Sequence, residues 1–224
     1  ETIAAGAREK GYDPALAEQL FDLMTKFAEY GFNKSHTAAY AVVTYHTAWL
    51  KVHHCAAFMA ATLSSDMDNT DAVRIFYEDT LANGVKVLGP DVNASNYRFE
   101  PVDRETIRYG LGAVKGTGEQ AVNVVLRARE AGGPFRDLFD FCRRCDKRLV
   151  NRRTIEALIK AGAFDCIDGH RHRLLASVGV AMDFAEQAER NSMQTSLFDL
   201  GPAADEHAPQ CIPVPPWGER EQLM

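Results

Sequence analysis

Apolar positions recur every three to four residues along most of this chain, the spacing of helices that bury one face. Asp13-Pro14, a cap residue followed by a first-turn proline, opens one such pattern. Leu16, Leu20, Leu23, Met24, Phe27 and Tyr30 carry it, and Gly31 ends it. A longer pattern, rich in alanine and aromatics, runs from Thr37 to about Leu63, and its small residues imply close packing between helices. Asn69 or Thr70 caps a further helix that stops at Asn83-Gly84. The period then changes. Residues 85–88 before Gly89-Pro90 predict a short strand and turn. Residues 97–99 and 106–109 alternate on either side of Asp103-Arg104 and predict a β-hairpin. Helical spacing returns after that and lasts to about Arg190. Leu138, Phe139 and Cys142 make one stripe; Ile155, Leu158, Ile159 and Ala163 make the next. From Gly201 the chain turns to Pro, Ala, Asp and Glu, the composition of a linker. The expected fold is mainly α with a small β-hairpin.

One stretch interrupts the helical spacing with a specific device. Residues 111–122 read Leu-Gly-Ala-Val-Lys-Gly-Thr-Gly-Glu-Gln-Ala-Val, a tight glycine turn between two apolar patterns. This is the pattern of a helix–hairpin–helix. Glycine allows φ > 0 and close approach to another molecule. The first N–H groups of the second helix have no partner within it, and the helix dipole favours an anion there. The expected ligand of Gly116, Thr117, Gly118 and Lys115 is a phosphate of a nucleic-acid backbone, held without regard to sequence. The plain alternative is a tight turn between two helices and nothing more.

Charge decides between these. The chain's formal net charge of −6 argues against a polyanion. Its distribution reverses that, because residues 108–173 hold 14 Lys/Arg against 8 Asp/Glu, a net +6, and the remainder is −12. The glycine turn lies in the basic segment. Arg143, Arg144, Lys147, Arg148, Arg152 and Arg153 form its densest cluster. Gly169-His170-Arg171-His172-Arg173 reads as a second, degenerate hairpin, with His170 and Arg171 as further phosphate candidates. The rest of the composition is ordinary: 46% hydrophobic and 25% charged, with no apolar run near the roughly 20 residues of a membrane span. Five cysteines without regular spacing suggest a reducing, cytoplasmic setting. No secretory signal is visible, and Glu1 suggests a piece of something longer.

Other constellations are weaker. Asn33, Lys34, Ser35 and His36 stand at a helix entrance, where cations and a hydroxyl suit triphosphate oxygens and Ser35 suits a simple cap. Cys142, Cys145, Cys166 and His170 have a spacing that zinc tolerates, although Cys142 also fits an apolar stripe. His53-His54-Cys55 is weaker still and reads as packing. Asp66 and Asp68 resemble the paired carboxylates of two-metal phosphoryl transfer, but they stand at the end of an alanine-rich helix and read as helix-end residues. Gln194, Leu197 and Phe198 border the linker; an exposed apolar pair with a glutamine three residues earlier suits a hydrophobic pocket on a partner.

In sequence order these pieces form a resemblance. Residues 32–41, Phe-Asn-Lys-Ser-His-Thr-Ala-Ala-Tyr-Ala, resemble the fingers signature of the C-family of bacterial replicative polymerases, the DNA polymerase III alpha-subunit family. Leu50-Lys51, residues 58–61, 66–69 and 90–93, residues 109–116, Asn151-Arg152-Arg153 and residues 161–165 continue it. The resemblance covers nearly the whole chain. Its implied organisation is the C-terminal part of the fingers over 1–84, a strand and β-hairpin connector over 85–109 and a tandem helix–hairpin–helix region over 110–190. A sliding-clamp motif over 191–200 and a linker over 201–224 follow. It implies a parent DNA-directed DNA polymerase that uses two magnesium ions on palm aspartates, and no such aspartate motif occurs in these 224 residues. The implied fragment is inactive alone, with no cofactor of its own. The implied partners are duplex primer–template DNA, the sliding clamp at Gln194, Leu197 and Phe198, an incoming deoxynucleotide at Asn33 to His36, and other holoenzyme subunits, with no membrane. Cys55 stands where many members of the family carry proline. The readings from other classes are a helix–hairpin–helix module of a repair protein, a zinc module, and a nuclease built on Asp66 and Asp68.

Overall fold

The computed structural model describes residues 2–29, 34–193 and 209–218. The chain divides into two compact units, residues 1–52 and 53–224. The first holds α1 (Thr2–Glu9), α2 (Pro14–Glu29) and nearly all of α3 (Lys34–His53). Pro14 opens α2 behind Asp13, whose carboxylate accepts the Ala15 N–H at 2.9 Å. The apolar stripe anticipated on α2 is present, but Leu16, Leu20, Leu23, Met24 and Phe27 all face solvent.

The pattern from Thr37 to Leu63 is two helices rather than one. The chain leaves helical geometry at His54 (φ −137°, ψ 48°), and α4 (Cys55–Ser65) starts at Cys55. Cys55 therefore occupies the first helical position, the one place in a helix where proline is tolerated. Asp66 is the C-cap of α4, and Asn69 is the N-cap of α5 (Thr70–Ala82), accepting the N–H groups of Asp71 and Ala72. Gly84, at φ +77°, turns the chain out of α5.

Three short strands follow: β1 (Lys86–Leu88), β2 (Glu100–Pro101) and β3 (Thr106–Arg108), in the order β1-β3-β2. β1 runs parallel to β3 with Val87 opposite Ile107; β2 runs antiparallel with Pro101 opposite Ile107. The expected hairpin exists, but its first strand is 100–101, not 97–99. The reason is that Ser64 takes over the backbone of Phe99, its hydroxyl accepting the N–H at 3.0 Å and facing the carbonyl at 3.3 Å. Pro101, which lacks an N–H, sits on an edge strand as it must. Met59, Leu63, Val73, Phe99 and Ile107 form the core between α4, α5 and this sheet.

The larger core belongs to the second half. It is built by α6 (Glu119–Gly132), α7 (Leu138–Arg144), α8 (Arg152–Lys160) and α9 (Arg171–Met193). Phe141 meets Phe135 and Phe164 edge to face at its centre, with ring centroids 4.9 Å apart in both contacts. Burying three such rings is the main local driving force for docking these short helices. Asp137 and Asn151 cap α7 and α8 with their side chains.

The segment expected to be linker is partly structured. Residues 209–218 lie extended along α9: the Ile212 N–H donates to the fully buried Ser177 hydroxyl at 2.8 Å, and Trp217 stacks on His172 at 5.5 Å. Composition misleads here because Cys211, packed on the core, and the half-buried Val214 and Trp217 supply apolar surface among and beside the prolines. No helix among the described residues is long and apolar enough to cross a membrane.

Candidate nucleic-acid interface

The glycine turn is built on a loop rather than on a long first helix. Residues 111–113 form a single 3-10 turn, not an α-helix. It is anchored by the Leu111 N–H to the Asn96 carbonyl (2.8 Å) and the Gly112 N–H to the Tyr97 carbonyl (2.9 Å). The approach is too close for side chains. A Cβ on Gly110 would stand 2.5 Å from the Arg98 carbonyl carbon, and one on Gly112 would collide with the Tyr97 ring.

Gly116 has φ +95°, the left-handed geometry that glycine adopts without strain. Gly118 is extended and is the N-cap of α6, with no side chain capping that helix. The first N–H groups of α6 therefore face outward without a side-chain acceptor, beside the exposed Lys115. Thr117 departs from expectation. Its N–H donates to the Val114 carbonyl at 3.1 Å, and its hydroxyl lies 2.7 Å from the carbonyls of both Leu111 and Val114. Thr117 thus locks the turn from inside, and the outward N–H groups are those at the start of α6.

The Ala157 methyl stands 3.6 Å from the Cβ position of Gly116, so α8 borders the turn. Arg153 precedes Ala157 by one helical turn and shares its face. Arg152 and Arg153 occupy the first turn of α8, which has no acidic residue. Cations at a helix N-terminus oppose the dipole, so this placement serves something other than helix stability. Arg152 is offset by Glu156 at 2.7 Å, whereas Arg153 is exposed.

The remaining basic candidates separate by environment. Arg144 is removed from the phosphate set because its guanidinium is spent inside the fold. It reaches the carbonyls of Ala128, Gly133 and Pro134, pairs with Asp140 at 3.0 Å and lies 4.5 Å over the Phe135 ring. Burial would raise the Asp140 carboxyl, but the Arg136 N–H and the Arg144 guanidinium outweigh it and hold the group below its ordinary 3.8. The spacing Asp140 to Arg144, four residues in a helix, was the available signal. Arg143, Lys147 and Arg148 line an open groove of about 930 Å³ with Glu186 and Glu189 of α9, not with the glycine turn. Lys147 stands 3.5 Å from Glu189, and Arg148 pairs with Asp146 at 3.1 Å.

The degenerate hairpin at 169–173 is closed. Arg171 pairs with Asp165 and Arg173 with Asp168, and the His170 ring nitrogen accepts the Arg173 N–H at 3.1 Å. The start of α9 thus has an imidazole cap where the start of α6 has none. Arg127 and Arg136 are exposed as well, and only their place in the basic segment marks them in the sequence.

Cys142 and Cys145 are core residues whose thiols burial pushes up to about 12. Among the described residues no group of three or more His, Cys, Asp or Glu could hold a metal ion. The proposed zinc set is not brought together, and Asp66 and Asp68 belong to the turn between α4 and α5. Of the nucleotide candidates, the His36 ring lies 4.3 Å from that of Tyr40 at the start of α3. Asn33 and the side chains of Lys34 and Ser35 lie outside the described residues, as do Gln194, Leu197 and Phe198.

Comparison with known proteins agrees with this geometry. Residues 84–174 match the family model of the helix-hairpin-helix motif. Over 223 residues the chain is 51% identical to DNA polymerase III subunit alpha of Neisseria meningitidis serogroup B, a match covering 100% of this chain and 19% of the relative. It is 47% identical to the subunit of the same name from Vibrio cholerae (97% and 19% covered) and 44% identical to that of Escherichia coli K12 (99% and 20%). The chain thus spans about a fifth of the length of the curated relatives it matches.

Proposed function

We propose that this chain is a segment of a replicative DNA polymerase alpha subunit and that it holds duplex DNA by its backbone. The observation that carries this reading is the uncapped start of α6 behind Gly116–Thr117–Gly118, with Lys115 beside it and α8 against it. A phosphate oxygen there meets outward N–H groups and the positive end of a helix without any base contact. Arg153 and, at longer range, Arg143, Arg148 and Arg152 add field rather than specificity.

In the longer protein the segment positions duplex behind the site of nucleotide addition. The residues Asn33 to His36 contribute to holding the incoming deoxynucleotide. The segment at Gln194, Leu197 and Phe198 tethers the enzyme to the sliding clamp, and two modest contacts on one chain reinforce each other through effective concentration.

The test is binding of the chain to a fluorescent duplex of arbitrary sequence across a salt series, with the clamp assayed separately. Affinity falls steeply with salt and is indifferent to sequence. A flat salt response overturns the DNA reading. Unchanged clamp affinity after replacing Gln194, Leu197 and Phe198 by alanine overturns the tether.

A further inference from the structure

The loop at residues 91–97 is held from four sides. Asn93 exchanges two hydrogen bonds with the backbone of Phe135 (2.7 and 2.9 Å), and the Val92 N–H donates to the Ala163 carbonyl at 2.8 Å. The third holder is Arg129, three turns along α6 from the glycine turn. Its Nη1 donates to the carbonyls of Val92 (3.2 Å) and Ser95 (2.8 Å), and its Nη2 to the Asn96 Oδ1 at 2.9 Å. The fourth contact runs outward: the carbonyls of Asn96 and Tyr97 hold the Leu111 and Gly112 N–H groups on which the glycine turn is built.

We propose that Arg129, a basic residue of a basic DNA-binding segment, is a positioning residue that sets the glycine turn and makes no phosphate contact itself. Resting on the proposed DNA reading, this assigns Arg129 a place in a closed mechanical circuit. The circuit runs from α6 through Arg129 to the 91–97 loop, on to residues 111–112, and back through the turn to the start of α6. A planar fork with several fixed donors suits the task of gathering three oxygens at once, which a lysine ammonium with its flexible stem does not match. The guanidinium is half-buried, and its terminal nitrogens are spent on three protein oxygens.

The experiment compares Arg129→Gln with Lys115→Gln in the 224-residue chain, below the unfolding temperature of each. Duplex affinity is measured against salt, and hydrogen exchange is followed at the Leu111 and Gly112 amides. Arg129→Gln weakens binding about tenfold, the scale of losing hydrogen bonds from a charged group. It leaves the salt slope at the wild-type value and speeds exchange at both amides. Lys115→Gln lowers the slope by about 0.9 and leaves those amides protected. A fall of about 0.9 in the slope for Arg129→Gln, or unchanged affinity and exchange, overturns the proposal. Arg129→Lys recovers little of the loss; full recovery by charge alone also overturns it. If Arg129→Gln does not fold, Asn96→Ala, which removes a single acceptor of the fork, gives the same pattern in milder form. Absence of DNA binding by the unaltered chain defeats the DNA reading instead, and the exchange measurement still tests the circuit.

Discussion

Gly116 rests against Ala157: the position of a Cβ on the glycine lies 3.6 Å from the alanine methyl, while the backbone holds φ at +95°. Space is therefore adequate and conformation is the constraint. Gly116→Ala destabilises the chain by about 1–2 kcal/mol, the cost of left-handed geometry for an L-residue, measured by urea denaturation. Ala157→Gly at the other side of the contact costs about 1 kcal/mol through helix propensity alone.

Gly118 separates stability from binding. It has ordinary φ, open space around it, and no side chain to cap α6. Gly118→Asp leaves the folded chain as stable or a few tenths of a kcal/mol more so, because the new carboxylate accepts N–H groups of α6. The same carboxylate fills the anion site, and duplex affinity drops well over tenfold. Thermal melting and a binding titration on one sample check both signs.

Two arginines four residues apart behave oppositely. Arg144→Ala leaves the buried Asp140 with the more distant Arg143 at 3.5 Å and strips the guanidinium from three carbonyls, at a cost of about 3 kcal/mol. Arg148, 90% exposed, leaves the denaturation midpoint where it is when replaced by alanine. Chemical denaturation of each variant makes the comparison.

The Asp140 carboxyl is held below its ordinary 3.8 in the fold, so the unfolded chain takes up this proton first as acid is added. The stability it contributes is present in full above pH 3.8 and is lost as pH falls through its lower folded value. In Asp140→Asn this part of the acid slope disappears. Unfolding free energy followed between neutral pH and pH 3 reads the difference.

The sequence was most legible where local chemistry decides. Asp13-Pro14 and Asn69 mark helix starts, Gly84 marks a stop, and each does so through its own backbone or side-chain hydrogen bonds. It was least legible where a distant partner decides. Strand 97–99 fails because Ser64, 35 residues earlier, occupies the Phe99 backbone. Thr117 was expected to offer its N–H outward, yet Val114 takes it. At the site, charge counting located the basic segment but could not tell a cation facing outward from one facing in. Arg129 and Arg144 add to the same total as Lys115 and Arg153, and only their oxygen partners reveal that they hold the fold. The arginines of the turn at 169–173 likewise count as positive in the total, although Asp165 and Asp168 stand against them.

The extended stretch at 209–218 runs antiparallel to the start of α9, its Ile212 N–H on Ser177 and its Trp217 ring stacked on His172. Those two helix residues are five positions apart in sequence, so one short strap spans little more than the first turn of α9, the turn of a helix most prone to fray. The start of that helix is therefore stapled by residues about 40 positions later in the chain, and its order depends on a segment whose composition reads as linker.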